Sequence, residues 1–441
     1  MSSVQIGSTR ASILERTFSV FATVKPGEGL TAFLLMMNVF SLLTAYYIIK
    51  PVREALILSG PGAEVKSYAG AGQALLLLLI VPLYSLIASK VNRVRLINGM
   101  TAFFISNLVI FYVLGRMNFS LGVVFFLWVG LFNLMAVAQF WAFANDVYTQ
   151  EQGKRLFAIV GIGSSLGAIF GAEVAGWLFK PIGAYAMMLV TAALLAFCMV
   201  LTNWVHLREG DGNQARAEAA RGAIGGSGGF KLVLNYRYLL LIAILVVLAN
   251  FTKTTGEFIL GKVVTQHASS HGMNSQTYIG EFYADFYFWV NLTGAALQMF
   301  AVSRIMKYMG IGAALFFLPL IALGSYTALA FAPLLSLIRV VKIAENSTEY
   351  SIQNTARQAL FLRTSREAKY KAKLAIDSFF ARAGDALSAL LVFTGTRIAL
   401  DIRGFAVVNA ALVLVWLFVA IAILRLRRRQ AEAAPETRQA A

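Results

Sequence analysis

The run LTAFLLMMNVFSLLTAYYII, residues 30–49, holds no charge and passes directly into Lys50-Pro51-Val52-Arg53-Glu54. Twenty apolar residues wound as a helix at about 1.5 Å each cross the roughly 30 Å hydrocarbon layer of a bilayer. Working outward, the rest of the chain has the same character. Of its 441 residues, 59% are hydrophobic and 13% charged, about half the charge of an ordinary soluble domain. A water-soluble globule could not be covered with so little polar surface. The composition therefore specifies an integral membrane protein, and it excludes disordered and disulfide-framework classes, since Cys198 is the one cysteine.

Further apolar runs fall at Tyr68–Ala88, Leu96–Leu114, Leu121–Phe143, Leu156–Phe179 and Tyr185–Val205. After a polar stretch they resume at Leu239–Leu260, Tyr278–Val302, Ile311–Ala330, Leu334–Ser351, Ala372–Phe393 and Phe405–Leu424. The expected fold class is all-α, with twelve transmembrane helices in two six-helix bundles. Lipid forbids unpaired backbone, and the short alternating pattern of a membrane barrel is missing. The expected division is an N-terminal segment 1–28, a first bundle 29–205, a linker 206–237, a second bundle 238–425 and a basic tail 426–441. The Gly-rich stretch Gly222–Gly229 marks the linker as flexible. Ile13, Leu14, Phe18 and Phe21 suit a short interfacial helix before the first span.

Orientation follows from the basic residues. With the N-terminus inside, 26 of the 38 Lys and Arg lie in inner segments, 6 in outer ones and 6 within spans. That bias predicts both termini in the cytoplasm of a cell with the protein in its inner membrane. It also explains the net charge of +17 by attraction to anionic lipids of the inner leaflet, without nucleic acid as a partner.

The six basic residues inside spans matter most: Lys50, Arg53, Lys253, Arg339, Lys342 and Arg382. A charge at mid-bilayer costs about 2.5–3.5 kcal/mol on the insertion scale, so it persists where it faces a water-filled path or a partner. Span one carries Lys50 and Glu54; span seven carries Lys253 and Glu257 at the same i,i+4 spacing, on one helix face. This repetition in equivalent places predicts two structural repeats of the major-facilitator kind. Either these residues contact a substrate or they form i,i+4 pairs near helix ends. Span eight adds Glu281 and Asp285, span ten adds Glu345 and Glu349, and span eleven adds Asp377 and Asp385.

Other signals are weak. Gly161-Ile162-Gly163 through Gly167 looks like a dinucleotide loop but sits in a span with no strand before it. Gly163, Gly167 and Gly171 instead form a small-residue face for close helix contact. No Walker loop or catalytic grouping is recognisable, and His267 and His271 have no third ligand. The chain is read as no enzyme, with no cofactor and no metal.

Three stretches resemble the nucleotide transporter family of ATP/ADP translocases from plastids and intracellular bacteria. They are Tyr46 to Leu56; Phe140-Trp141-Ala142-Phe143-Ala144-Asn145-Asp146 with Lys154-Arg155-Leu156-Phe157 and Gly161-Ile162-Gly163; and Glu349 through Arg357 to Asp377 and Ala381-Arg382-Ala383-Gly384. The family's functional glutamate in span seven falls at Glu257. The resemblance implies a facilitator-like fold and exchange of a nucleotide or related phosphorylated anion. Departures are Leu121–Val137 without a carboxylate, Asp385 where the family has lysine, and Pro51 where an acidic residue is usual.

The expected function is thus a secondary active transporter working by alternating access. Its expected substrate residues are Lys50, Arg53, Glu54, Lys253, Glu257, Asn145, Asp285, Lys342 and Arg382, and the expected state is monomeric. Alternatives are a proton-coupled carrier of another solute, in which Glu257 or Asp285 titrates, and a non-transporting membrane anchor or sensor.

Overall fold

The structure, a computed structural model, describes residues 13–19, 22–88, 91–209, 228–270, 274–364 and 368–439. Most of the expected linker (210–227) lies outside the described residues, as do Phe21, Lys90 and His271. Among the described residues there are helices and turns but no strand.

A short α1, Ile13–Phe18, precedes α2 (Gly29–Ser59), α3 (Ala63–Ala88), α4 (Arg93–Arg116), α5 (Gly122–Val147) and α6 (Gln150–Glu209). The last is two expected spans in one. Gly183, at φ 74°, has left-handed backbone, and Pro181 cannot donate to the helical ladder. After α7 (Gly229–Asn235) come α8 (Arg237–Ser270), α9 (Ser275–Ala296), α10 (Val302–Tyr308), α11 (Gly310–Phe331) and α12 (Leu335–Thr348). A π-helical segment, Glu349–Gln353, joins α12 to α13 (Asn354–Leu360). Two longer helices end the chain, α14 (Ala381–Arg397) and α15 (Ile402–Gln439).

Seven helices among the described residues are long and apolar enough to cross a membrane: α2, α4, α5, α6, α8, α11 and α15. Three of those below that threshold carry charge as well. Glu281 and Asp285 lie in α9, while α12 has 14 residues and α14 has 17, with Arg339, Lys342 and Arg382 among them. Large apolar side chains point outward, with Leu79 73%, Trp177 64% and Phe418 70% exposed. Such a surface is stable against lipid and not against water.

Two compact units divide the chain. One gathers Met1–Val52, Val81–Leu121 and Trp128–Ala223; the other gathers Arg53–Ile80, Gly122–Leu127 and Ile224–Ala441. The C-terminal end of α2 and the first part of α3 thus pack with the second half of the chain, a grouping that differs from the division at 206–237.

In the first unit, the small-residue face does what its spacing suggests. A Cβ on Gly163 would lie 2.5 Å from the Met36 carbonyl oxygen, and one on Gly171 2.6 Å from that of Thr44. One on Gly167 would lie closer still to Phe40. Residues four apart on α6 therefore touch residues four apart on α2, backbone to backbone. The second unit repeats the arrangement: a Cβ on Gly384 of α14 would lie 2.6 Å from the Val247 carbonyl oxygen on α8. Polar contacts repeat as well. Asn38 on α2 donates to Thr202 of α6 at 2.8 Å, and Asn409 of α15 donates to the Thr252 carbonyl on α8 at 3.0 Å. The first helix of each half is thus held by the fifth and sixth expected spans of that half.

Candidate functional site

The C-terminal end of α2 places Arg53 and Glu54 side by side, two residues after Pro51. Proline has no N–H, so the Tyr47 carbonyl loses its i→i−4 donor there. Glu54 is fully buried, at 0% exposure. Arg53 pairs with its Oε1, Nε lying 3.1 Å away, and the Arg53 guanidinium sits 4.9 Å from the Phe126 ring centroid. The second oxygen, Oε2, lies 2.6 Å from the Lys66 ammonium in the first turns of α3. Tyr287 of α9 donates its hydroxyl to Oε1 at 3.4 Å. Two cations therefore converge on one buried carboxylate, inside a single compact unit. Lys262 of α8 and Glu64 of α3 form a further ion pair in this unit.

By sequence, Lys66 precedes the apolar run that starts at Tyr68 and so is one of the six basic residues of the outer segments. The helix starts earlier, at Ala63, which carries Lys66 into the interior at 9% exposure. The Pro61-Gly62 turn, with Gly62 at φ 97°, is the local signal for that earlier start. Tyr283, fully buried on α9, lies beside Lys66, whose ammonium is 5.4 Å from the ring centroid.

The repeated Lys–Glu spacing needs correction as contact geometry. The ion pairs on Glu54 come from Arg53 and Lys66, while the Lys50 ammonium lies 4.9 Å from the Tyr47 ring centroid. Arg53 is accordingly a partner of Glu54. In the second half, Lys253 pairs with Glu349 at 2.9 Å, and Glu257 accepts from Asn346 Nδ2 at 3.1 Å. Glu54, Lys253 and Glu257 each reach a partner on another helical element in place of their own i,i+4 neighbour.

The remaining expected residues each have contacts of their own. Lys342, at 0% exposure, pairs with Glu345 at 2.8 Å, and Tyr326 donates to the same carboxylate at 3.1 Å. Asp285 pairs with Arg339 on a half-exposed face. Arg382 pairs with Asp385 at 3.0 Å, and Thr254 of α8 donates to Asp385 at 2.7 Å. Asn145 is exposed and donates to the Trp141 carbonyl at 2.8 Å, a local contact. Its neighbour Asp146 pairs with Arg93 at 3.0 Å. No group of three or more metal-ligating side chains occurs among the described residues.

The family model described as "TLC ATP/ADP transporter" matches residues 113–427. ADP,ATP carrier protein 1 of Chlamydia muridarum is 24% identical over 332 residues, covering 65% of this chain and 61% of the carrier. The protein of the same name from Chlamydia pneumoniae is 21% identical over 305 residues, or 59% of this chain and 57% of that one. The match spans about three fifths of the length of these relatives. Among solved structures, the nucleoside transporter NupG superposes at a TM-score of 0.67 with 10% identity, covering 90% of this chain and 98% of that one. A POT family transporter in complex with 5-aminolevulinic acid superposes at 0.63 with 13% identity, covering 92% and 99%. At such identities these two structures share the fold alone, and that fold is the facilitator-like one.

Proposed function

Because the chain belongs to the TLC ATP/ADP transporter family, we propose that it carries a nucleotide, or a closely related phosphorylated anion, by exchange across the bacterial inner membrane. Both termini lie in the cytoplasm, as the basic residues direct. The observation that carries the reading is the pair of cations, Arg53 and Lys66, on the single buried carboxylate Glu54. Both cations are held by that one carboxylate. A phosphate is the type of ligand that competes for such a pair: it accepts several hydrogen bonds, and arginine offers it a planar fork.

Glu54 then serves as the resting counter-ion. When phosphate oxygens take Arg53 and Lys66, Glu54 loses its ion pairs and the C-terminal end of α2 is free to shift against α3 and α9. Without the anion, the cations return to Glu54. Coupling movement to occupancy in this way favours exchange over leak, since the empty site is locked by its own carboxylate. Alternating access requires such a differential interaction of the substrate with two states. Lys50, Lys253, Glu257, Lys342, Asp285, Arg382 and Asn145 complete the proposed set, with Lys50 and Lys253 as further cations along the path.

The test is uptake of labelled ADP by proteoliposomes preloaded with ATP, ADP or buffer. Uptake dependent on internal nucleotide is expected. Uptake that ignores internal nucleotide, or that follows an imposed proton gradient instead, would sink exchange. Nucleotide binding that is unchanged in Arg53→Ala and Lys66→Ala would remove the cluster from the mechanism.

A further inference from the structure

The second unit holds a partly open cavity of about 330 Å³, walled by residues of α8, α11, α12, the π-segment Glu349–Gln353, α13 and α15. Its charge is balanced. Lys253 meets Glu349 at 2.9 Å, Arg357 lies 4.0 Å from Asp377, and Glu345 is answered by Lys342 at 2.8 Å. A phosphate would find no unmatched cation there.

What this wall holds in excess is hydrogen-bonding capacity. Thr252 Oγ1, Glu345 Oε1, both amide atoms of Gln353, Arg357 Nε and Trp416 Nε1 are buried without a protein partner among the described residues. All five residues line the same cavity. Thr252, Glu345, Gln353 and Trp416 are each more than nine-tenths buried. Buried polar groups are nearly always paired, so five such residues around one space mark a place completed by something bound. The donors and acceptors are mixed, the charge is balanced, and Trp416 and Tyr350 are aromatic residues of the lining. These features suit a neutral, flat heterocycle that carries both an amino group and ring nitrogens. A carboxamide such as Gln353 makes a two-point contact with the amino and ring nitrogens of adenine. The unpaired Glu345 oxygen is an acceptor for an exocyclic amine.

We propose that this cavity is a nucleobase subsite that takes an adenine-like base, separate in chemistry from the Arg53–Glu54–Lys66 cluster that takes phosphate. The proposal rests on the reading of the cargo as a nucleotide. The π-helical segment is part of the device: its wider turn brings Glu349, Tyr350 and Gln353 to one wall, and π-bulges concentrate at binding sites.

The experiment uses the full chain in lipid nanodiscs with two probes, ADP and the uncharged nucleoside adenosine. A photoreactive azidoadenosine is expected to label peptides containing Tyr350, Gln353 or Trp416, with adenosine protecting them. Gln353→Leu and Thr252→Val are each expected to weaken adenosine binding about tenfold, the equivalent of one good hydrogen bond lost to a buried group. Both should keep the wild-type melting temperature; if one fails to fold, the other carries the test. Label recovered elsewhere, adenosine affinity unchanged in the folded variants, or a wild type that binds ADP but not adenosine overturns the subsite while leaving the nucleotide reading intact. A wild type that binds adenosine at these residues but not ADP supports the cavity and overturns the nucleotide reading.

Discussion

The ammonium of Lys66 lies 2.6 Å from Oε2 of Glu54, joining the start of α3 to the end of α2 through a carboxylate with no exposure at all. These two residues are twelve positions apart in sequence, on either side of the turn Gly60-Pro61-Gly62. Their contact closes the tip of that hairpin. A buried pair of this kind is neutral in stability when both partners are present and costly when one is removed, by about 3–5 kcal/mol.

From this follows a difference between the two single variants. Glu54→Ala strands Arg53 and Lys66 together in a buried place, so it should lower the melting temperature of the purified protein strongly. Lys66→Ala leaves Glu54 with Arg53 and should be milder in stability but equally damaging to nucleotide binding. Thermal unfolding and ADP binding on the same preparations separate the two effects. Equal melting temperatures for both variants would show that the cluster is not charge-limited.

Exchanging Lys253 and Glu257 probes the second half. Because Lys253 is held by Glu349 and Glu257 by Asn346, the exchange sets a carboxylate against Glu349 and an ammonium against the Asn346 amide. The swapped protein should insert and yet bind nucleotide at least tenfold more weakly. Restoring the cross-helix pair by adding Glu349→Lys should recover the fold but not the binding. A swapped protein with wild-type affinity would mark these residues as simple helix-end anchors.

Close helix contact on α6 predicts a graded response at Gly167. A Cβ there meets the Phe40 backbone, which cannot rotate away. Gly167→Ala should destabilise by about 1–3 kcal/mol, as overpacking does, and Gly167→Val by more. Gly161, where a Cβ would meet nothing within 4 Å, should accept alanine without loss. Comparing the melting temperatures of Gly161→Ala and Gly167→Ala decides the matter.

The segment before α2 predicts a pH dependence. Burial pushes the Glu28 carboxyl upward, but hydrogen bonds from the Arg155 guanidinium, the Lys25 backbone N–H and Gln152 outweigh it and hold the group below its ordinary 4.5. Arg155 contacts it at 2.9 and 3.0 Å. A depressed carboxyl contributes stability that is complete above its unfolded value and lost as pH falls through the folded one. Melting temperature should therefore fall as pH is lowered below about 4.5, and Glu28→Gln should flatten that limb. An identical acid limb in wild type and Glu28→Gln would remove Glu28 as its cause.

Topology is checked with reporters placed in the turns the structure shows. Insertions at Gly60–Gly62 and at Asn274 should read as periplasmic, since α3 already begins at Ala63 and α8 runs to Ser270. A cytoplasmic signal from either would reverse the assignment drawn from the basic residues.

Much of this molecule was legible in its sequence, because a bilayer imposes one-dimensional rules. Twenty apolar residues must cross, backbone groups must pair within the helix, and intramembrane charge must be functional or partnered. Those rules sufficed for the helical class, and they singled out Arg53, Glu54 and Lys253, which the structure places in ion pairs. The small-residue face Gly163-Gly167-Gly171 was equally legible, since helical periodicity alone puts those positions on one side.

Partnership was another matter. Spacing pointed to Lys50–Glu54 and Lys253–Glu257, whereas packing gave Glu54 to Lys66 and Arg53, and Lys253 to Glu349. Lys66 was hidden because hydropathy dates a helix from its first apolar residues, while the α3 helix begins five residues before its apolar run, at Ala63. The cavity at Thr252, Gln353 and Trp416 was invisible for a related reason. It joins residues more than a hundred positions apart, and whether a buried amide lacks a partner depends on every neighbour in three dimensions. A sequence states which groups must be satisfied; only the packed helices decide by whom.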